Sequence, residues 1–217
     1  NSISLYSLSE RSLMPGQMIA LKSRASDIAV YLPPGTGNDG TSVSNATSGA
    51  STTLTNAIIV VAEGYLGNSP TLGGSPDDFC IKVFKGFNLI KEITEPKFRP
   101  GYFFSAARFQ INAFGKIFCQ YKEKLYFISS DKYIYAIDLS KAEFPISKLY
   151  SEKTHAQQIK ANSTGVFGIT PQSALRITYD GSIMAKKFEA EGVLTAIDAT
   201  EKHVFVCQHQ GLEKNHE

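Results

Sequence analysis

Histidine and cysteine are the side chains of this chain that could act as nucleophile, base or metal ligand. None of the four histidines, His155, His203, His209 and His216, stands at a recognised spacing from an acidic or nucleophilic partner. Cys207 and His209 are two residues apart, which puts both on one face of a strand within reach of one metal ion. Two ligands do not complete a site, so we interpret them as ordinary strand residues and predict no metal and no cofactor.

Aspartate is the second residue type with chemical potential. Four aspartates recur near the ends of predicted strands: Asp131, Asp138, Asp180 and Asp198. Aspartates in such places commonly accept hydrogen bonds from the backbone amides of a turn. Glycoside hydrolysis would need two carboxylates about 5–10 Å apart, which the order of residues does not establish. The sequence therefore favours a non-catalytic protein and keeps an enzyme as an alternative.

The strands that carry these residues are predicted from a repeat near the C-terminal end. Segment 159–169, IKANSTGVFGI, aligns without a gap with segment 197–207, IDATEKHVFVC. Each copy has the pattern of a short strand, a polar turn and an apolar strand. We predict that Val166, Phe167, Ile169, Val204, Phe205 and Val206 include the tightest core of the chain. Phe167 and Phe205 should then point to the same side of their sheets, with Phe205 buried.

A third copy of the pattern precedes these two. Moving back 41 positions, from Gly165 to Lys124, leads from Gly165–Thr170 to Lys124–Ser129. At the same offset Leu175–Ile177 falls on Ile134–Ala136. A period of about 40–45 residues is typical of the blades of a β-propeller. The repeat therefore predicts that architecture.

The N-terminal half continues the pattern. Ile3–Leu8 matches Ile134–Leu139 at one offset, as the third strand of a blade that Gln17–Lys22 would close. Further strands are predicted within Asp27–Gly35, Asn56–Gly64, Asp78–Lys85 and Asn88–Ile93. We predict an all-β fold, a single β-propeller over 1–217 with about 3.5–4 blades of antiparallel four-stranded sheets. Because the outermost blades lack strands, we expect a larger, seven-bladed propeller, completed by more of the same polypeptide or by a partner.

The second blade carries a recognisable set of motifs. Its first strand ends in Pro33-Pro34-Gly35, Asp77 or Asp78 precedes the third strand, and Phe84 closes the run Ile-Lys-Val-Phe. This order resembles the WD40 repeat family, in which tryptophan stands at the position of Phe84. The resemblance covers about four partial or complete units, although the chain has no tryptophan. It implies a rigid propeller whose loops and rim bind other proteins.

Two insertions interrupt the repeat. Residues 36–55 are almost entirely Gly, Ser, Thr, Asn and Ala, so we predict a disordered loop rather than a structured ligand loop. The insertion 94–115 is rich in aromatic residues and adds either core packing or a partner-binding ridge, since aromatics and arginine dominate interface hot spots. The candidate partner-binding residues in it are Phe98, Arg99, Tyr102, Phe103, Phe104 and Arg108.

Composition limits the remaining function classes. The chain has 217 residues, a net charge of +2 and a sequence pI near 8.4, which is too mild to indicate nucleic acid or a membrane surface. Three cysteines favour reduced thiols in the cytoplasm or nucleus. No apolar run approaches the roughly 18 residues of a membrane span. We predict a non-catalytic WD40-like scaffold in a multi-subunit complex; the alternatives are an enzyme or metal-binding propeller with ligands in its central channel, and a regulatory propeller in membrane traffic.

Overall fold

The computed structural model describes residues 2–8, 13–22, 25–34, 56–64, 80–97, 101–104, 111–115, 117–187 and 193–209. The regular elements of these ranges are all β-strands, which confirms the predicted all-β class. The first nine strands are β1 (Ser2–Leu8), β2 (Leu13–Ala20), β3 (Ala25–Tyr31), β4 (Ile58–Glu63), β5 (Cys80–Lys85), β6 (Asn88–Ile93), β7 (Gly101–Phe104), β8 (Ile111–Gly115) and β9 (Phe118–Tyr121). The next nine are β10 (Lys124–Ile128), β11 (Ile134–Asp138), β12 (Ile146–Lys148), β13 (Gln158–Asn162), β14 (Gly165–Ile169), β15 (Ser173–Ile177), β16 (Ile183–Lys187), β17 (Val193–Ala199) and β18 (Val204–His209).

Within each sheet of the described ranges, strands that are consecutive in the chain pair with each other. Three sheets have four antiparallel strands, β3–β6, β9–β12 and β13–β16, and three have two, β1–β2, β7–β8 and β17–β18. The four-stranded antiparallel sheets predicted from the repeat are therefore confirmed. The loop predicted at 36–55 lies outside the described residues.

The chain divides into two compact units, and the first consists of residues 1–98 with 139–142. Its central strand β4 is buried along its whole length, as its uninterrupted apolar sequence indicates. Ile59 and Val61 of this strand pack with Ile19 and Phe84. The same sheet buries a salt bridge between Lys82 and Glu63, whose side chains are 5% and 1% exposed.

The second unit consists of residues 99–138 and 143–217. Its main core lies between the sheets β9–β12 and β13–β16, where Tyr126 and Ile134 of one sheet pack with Val166 and Ile177 of the other. The first strands of successive sheets are neighbours, since β13 contacts both β9 and β17. A smaller cluster of Ile169, Leu194 and Ile197 joins β13–β16 to β17–β18.

The gapless alignment of 159–169 with 197–207 holds in three dimensions. Lys160 pairs with Phe167 across the first hairpin of one sheet, and Asp198 pairs with Phe205 in the next. The offset of 41 also holds for the first two strands, since Lys124 pairs with Tyr121 as Gly165 pairs with Asn162. The repeat therefore sets the same strand register in three successive hairpins.

The predicted match of Leu175–Ile177 with Ile134–Ala136 is wrong by one residue. Ile128 pairs with Ile134 in β10–β11, whereas Ile169 pairs with Ala174 in β14–β15. The connection in the first case, residues 129–133, is thus one residue longer than residues 170–173. Because neighbouring residues of a strand face opposite sides, this insertion changes which side chains enter the core.

The predicted core is confirmed at two positions and wrong at one. Val166 and Ile169 are 0% and 1% exposed, while Phe167, Val204 and Val206 are partly buried. Phe205 is 57% exposed, so it does not belong to the core. Its register is the predicted one, but among the described residues no sheet packs on its side of β17–β18.

Candidate functional site

An open cavity of about 410 Å³ lies in the second unit, between the sheets β9–β12 and β13–β16. We call it the tyrosine pocket. Its lining comes from the β9–β10 hairpin, from the faces of β10, β11 and β12, and from turns of the following sheet. The lining residues are Tyr121, Lys122, Glu123, Lys124, Tyr126, Ala136, Ser147, Lys148, Leu149, Ser163 and Tyr179.

Strand register explains why the cavity is there. Tyr126 lies opposite Ala136, and Ala136 lies opposite Ser147, so the three side chains form one row across the sheet. The row starts with a large ring and ends with two small side chains. Lys124 is two residues before Tyr126 and therefore faces the same side. Ala136 and Ser147 leave space beside the tyrosine ring, which the neighbouring sheet does not fill.

Three tyrosines form a stack at this cavity. The ring of Tyr179 lies between those of Tyr121 and Tyr126, with centroid separations of 6.1 Å and 6.0 Å and interplanar angles of 12° and 25°. Tyr126 is buried and Tyr179 is 41% exposed. Such separations are in the favourable range for offset aromatic stacking. The stack is therefore a rigid aromatic surface that reaches from the core to solvent.

Hydrogen bonds fix the orientation of these rings. The Tyr179 hydroxyl donates to the backbone oxygen of Asn162 at 2.6 Å. The Tyr121 hydroxyl donates to Glu201 Oε1 at 3.0 Å. Burial raises the pKa of Tyr126 well above its usual value and that of Tyr179 to about 12. Both phenols are consequently neutral at physiological pH.

The rim of the pocket is cationic. Lys122 stands in the left-handed backbone region with φ of 52°, and the Gln120 side chain donates to its carbonyl oxygen at 3.1 Å. This places the exposed Lys122 ammonium 5.4 Å from the ring centroid of Tyr121. Lys124 is also exposed. Within the part of the chain that the structure describes, neither ammonium forms an ion pair.

A second aromatic group adjoins the pocket at Lys148. The Lys148 ammonium lies 3.6 Å from the ring centroid of Tyr133, a cation–π contact. Tyr135 donates its hydroxyl to Asp131 Oδ2 at 3.1 Å. Partial burial raises the pKa of Asp131, but hydrogen bonds from Ser129, the Tyr133 amide and Tyr135 outweigh it and hold the pKa below its usual value. This edge of the sheet therefore holds the Asp131 carboxylate in place and has two ammonium groups, those of Lys148 and Lys153, near the Tyr133 ring.

The predicted turn role of aspartate is confirmed at two positions. Asp131 accepts from the Tyr133 amide at 3.2 Å, and Asp180 accepts from the Ser182 amide at 3.0 Å. Asp198 instead accepts from the following amide at 3.0 Å and pairs with Lys160 at 2.9 Å. The contacts of these three carboxylates are therefore structural.

The structure does not test the partner-binding ridge. Phe98, Arg99 and Arg108 lie outside the described residues. Tyr102, Phe103 and Phe104 form most of β7, for which only the backbone is described. The ridge therefore stays a prediction.

Among the described residues, the histidine and cysteine side chains do not form a cluster. The described residues contain no group of three or more His, Cys, Asp or Glu side chains placed to hold a metal ion. Cys80 and Cys119 are buried free thiols, Cys207 is an exposed one, and burial raises the pKa of Cys80 to about 11. In the same ranges no helix has the length and apolar character to cross a bilayer.

Sequence reasoning missed the tyrosine pocket. Tyr121 and Tyr126 belong to one repeat and Tyr179 to the next, so their separation along the chain gives no motif. The available signal was local: Tyr121-Lys-Glu-Lys124 places two lysines at a tight hairpin turn between strands. Charged residues at a hairpin are usual, and this pattern alone does not predict a site.

Comparison of the chain with protein-family models, curated proteins and solved structures finds no match. The function is therefore argued from the geometry of the pocket and of the sheets around it.

Proposed function

We propose that this chain consists of propeller-type blades and acts as a non-catalytic scaffold that binds other proteins in an assembly. The first support is the order of its sheets. Consecutive four-stranded antiparallel sheets follow one another in the second unit, with their first strands as neighbours. That is the order in which the blades of a propeller follow one another around an axis.

The second support is a set of hydrogen bonds that link the first hairpins of three successive sheets, β9–β10, β13–β14 and β17–β18. The side chains of Gln158, Asn162 and Ser163 donate to the backbone oxygens of Thr195, Thr200 and Glu201 at 2.9 Å, 2.9 Å and 3.2 Å. Tyr121, from the hairpin before these, also reaches Glu201. In a propeller the inner hairpins of successive blades approach each other in this way.

The observation that carries the binding role is the tyrosine pocket itself. It joins a stacked aromatic surface to a rim of exposed lysines, and tyrosine is among the residues that dominate binding energy at interfaces. The hydroxyls of Tyr179 and Tyr121 are held by hydrogen bonds, so the site offers a positioned aromatic surface beside positive charge. We conclude that it is a docking site on a rigid frame.

A filled pocket tests this role. Ser147 is an exposed pocket residue, so Ser147→Trp should occupy the cavity without disturbing the core. Ser151→Trp is the matched control, because Ser151 is exposed and does not line the cavity. Both variants and the wild type would be used as baits in quantitative co-purification, after their melting temperatures are shown to agree.

We expect a defined set of partners that binds the wild type and Ser151→Trp and is lost from Ser147→Trp. Equal recovery with both variants would contradict the docking role of the pocket. Recovery of no partner by the wild type above an empty matrix would contradict the scaffold function as a whole.

A further inference from the structure

We propose that the tyrosine pocket binds an acidic peptide segment, whose carboxylates pair with Lys122 and Lys124 while an apolar side chain covers Ala136 and Leu149. This inference rests on the proposed function, since it names the chemistry of the partner at the same site. It also makes a claim that the scaffold role does not, namely the charge of the ligand.

The charges at the rim support an anionic ligand. Three lysines and one glutamate line the pocket, and Lys122 and Lys124 are exposed on the same hairpin. Their mutual repulsion is not relieved by any ion pair within the described residues. The third ammonium, Lys148, is held over Tyr133 but adds to the positive potential. Complementary charge across an interface determines which partner binds and how fast it associates.

The floor of the pocket supports a peptide with at least one apolar side chain. Tyr126 and Ala136 are 1% and 5% exposed, and Leu149 packs beside them at the edge of the core. An apolar side chain placed there would move from water onto an apolar surface, which is favourable. A volume of about 410 Å³ is at the small end of ligand pockets and suits a few side chains.

The surroundings favour a peptide over a nucleic acid. A polynucleotide needs a track of cations along several consecutive phosphates. Here two of the three lining lysines lie on one short hairpin, Glu123 stands between them in the chain, and the net charge of the chain is only +2. Glu123 would repel any anionic group, phosphate or carboxylate, but it can accept a hydrogen bond from a backbone amide of a bound peptide.

The test is an unbiased selection of peptides on the full 217-residue chain. A display library of random dodecapeptides would be panned against the immobilised wild type, and individual peptides measured by fluorescence anisotropy. The site variant is Lys122→Glu with Lys124→Glu. The control is Lys22→Glu with Lys85→Glu, which changes the net charge equally at exposed lysines that do not line the pocket.

We expect the selected peptides to combine Asp or Glu with one apolar residue. Charge reversal at the site should weaken their binding by about tenfold or more, and the control should leave it unchanged. Replacing the acidic residues of a selected peptide by Asn or Gln should weaken binding similarly, as should raising the salt concentration.

Several outcomes would overturn the inference. Selected peptides without acidic residues, peptides that bind the site variant as well as the wild type, or a selection that enriches nothing would each do so. Binding of a uridine decanucleotide that is lost in the site variant would assign the rim to nucleic acid instead. Partners that still depend on Ser147 in co-purification, together with neutral selected peptides, would leave the scaffold function standing and remove only the acidic ligand.

Discussion

Tyr126 and Phe205 occupy the same position in two hairpins of the second unit, yet Tyr126 is 1% exposed and Phe205 is 57% exposed. Phe167, 41 residues after Tyr126 and 38 before Phe205, holds that position in the hairpin between them and is partly buried. Their equivalence follows from strand register and not from sequence similarity alone. An identical place in the repeat thus meets very different surroundings.

Tyr126 and Phe205 differ in exposure because a neighbouring sheet covers the first and not the second. The side of β9–β12 that carries Tyr126 is covered by β13–β16, and the side of β13–β16 that carries Phe167 is covered by β17–β18. No described strand covers the corresponding side of β17–β18. The burial of a residue in this fold is therefore a property of two consecutive sheets, and a single repeat does not determine it.

The largest expected effect comes from truncating the Tyr126 ring, with truncation of Phe205 as the comparison. Tyr126→Ala should lower the free energy of unfolding by about 3–5 kcal/mol, because it leaves a cavity between two packed sheets. Phe205→Ala should change it by less than about 1 kcal/mol, as is usual at an exposed position. Urea denaturation followed by circular dichroism measures both values. If the two variants lose similar free energy of unfolding, the two positions are equally packed, and the proposed difference between them is wrong.

A smaller effect is expected at the link between β13–β14 and β17–β18. The Asn162 side chain is buried, donates to the Thr200 carbonyl at 2.9 Å and accepts from the Thr164 amide at 2.8 Å. Asn162→Ala should cost about 1–3 kcal/mol, because it leaves these backbone groups without partners. Ser163→Ala is the control, since Ser163 makes a single exposed bond to the same hairpin. A larger loss in the control than in Asn162→Ala would contradict the role of Asn162 as the main link.

Alkaline pH should lower the free energy of unfolding, because Tyr126 and Tyr179 would ionise between the sheets β9–β12 and β13–β16. Burial raises the folded-state pKa of Tyr179 to about 12 and also raises that of Tyr126, whereas an unfolded tyrosine titrates near 10. A raised pKa means that the stabilisation is complete below the unfolded value and is lost as the pH rises from about 10 toward 12. Tyr126→Phe should flatten this loss, because phenylalanine does not ionise. Denaturation at several alkaline pH values measures the slope, and an unchanged slope would exclude Tyr126 as a cause.

The smallest effect is expected at the exposed ion pair between β13 and β17. Lys160 and Asp198 lie 2.9 Å apart, with side chains 27% and 75% exposed. Lys160→Met should change the free energy of unfolding by less than about 1 kcal/mol, because solvent screens such a pair. The same measurement in high salt should reduce the difference further. A loss above about 2 kcal/mol would mean that this contact, rather than apolar packing, holds β17–β18 in place.

The sequence predicted what depends on a local pattern of residue types. The strand Ile58–Glu63 is indicated by consecutive apolar residues, and the copies at 159–169 and 197–207 share a strand register because they match without a gap. The exposure of Phe205 was not predictable, because burial at this position depends on a covering sheet. The tyrosine pocket was not predictable either, since Tyr179 joins Tyr121 and Tyr126 only after two sheets pack together.

The side-chain links between successive hairpins have an asymmetric chemistry. Their donors, Gln158, Asn162 and Ser163, must carry a polar side chain, but the groups that accept at Thr195, Thr200 and Glu201 are backbone carbonyls. Every amino acid, proline included, supplies that acceptor. These three links therefore require a particular side chain only on the donor hairpin, so substitutions at the accepting positions leave them unbroken. The Tyr121–Glu201 hydrogen bond and the Lys160–Asp198 ion pair differ, because they also need a side chain on the receiving hairpin. The copies of such a repeat can lose most of their sequence similarity while the hydrogen bonds between successive hairpins are kept.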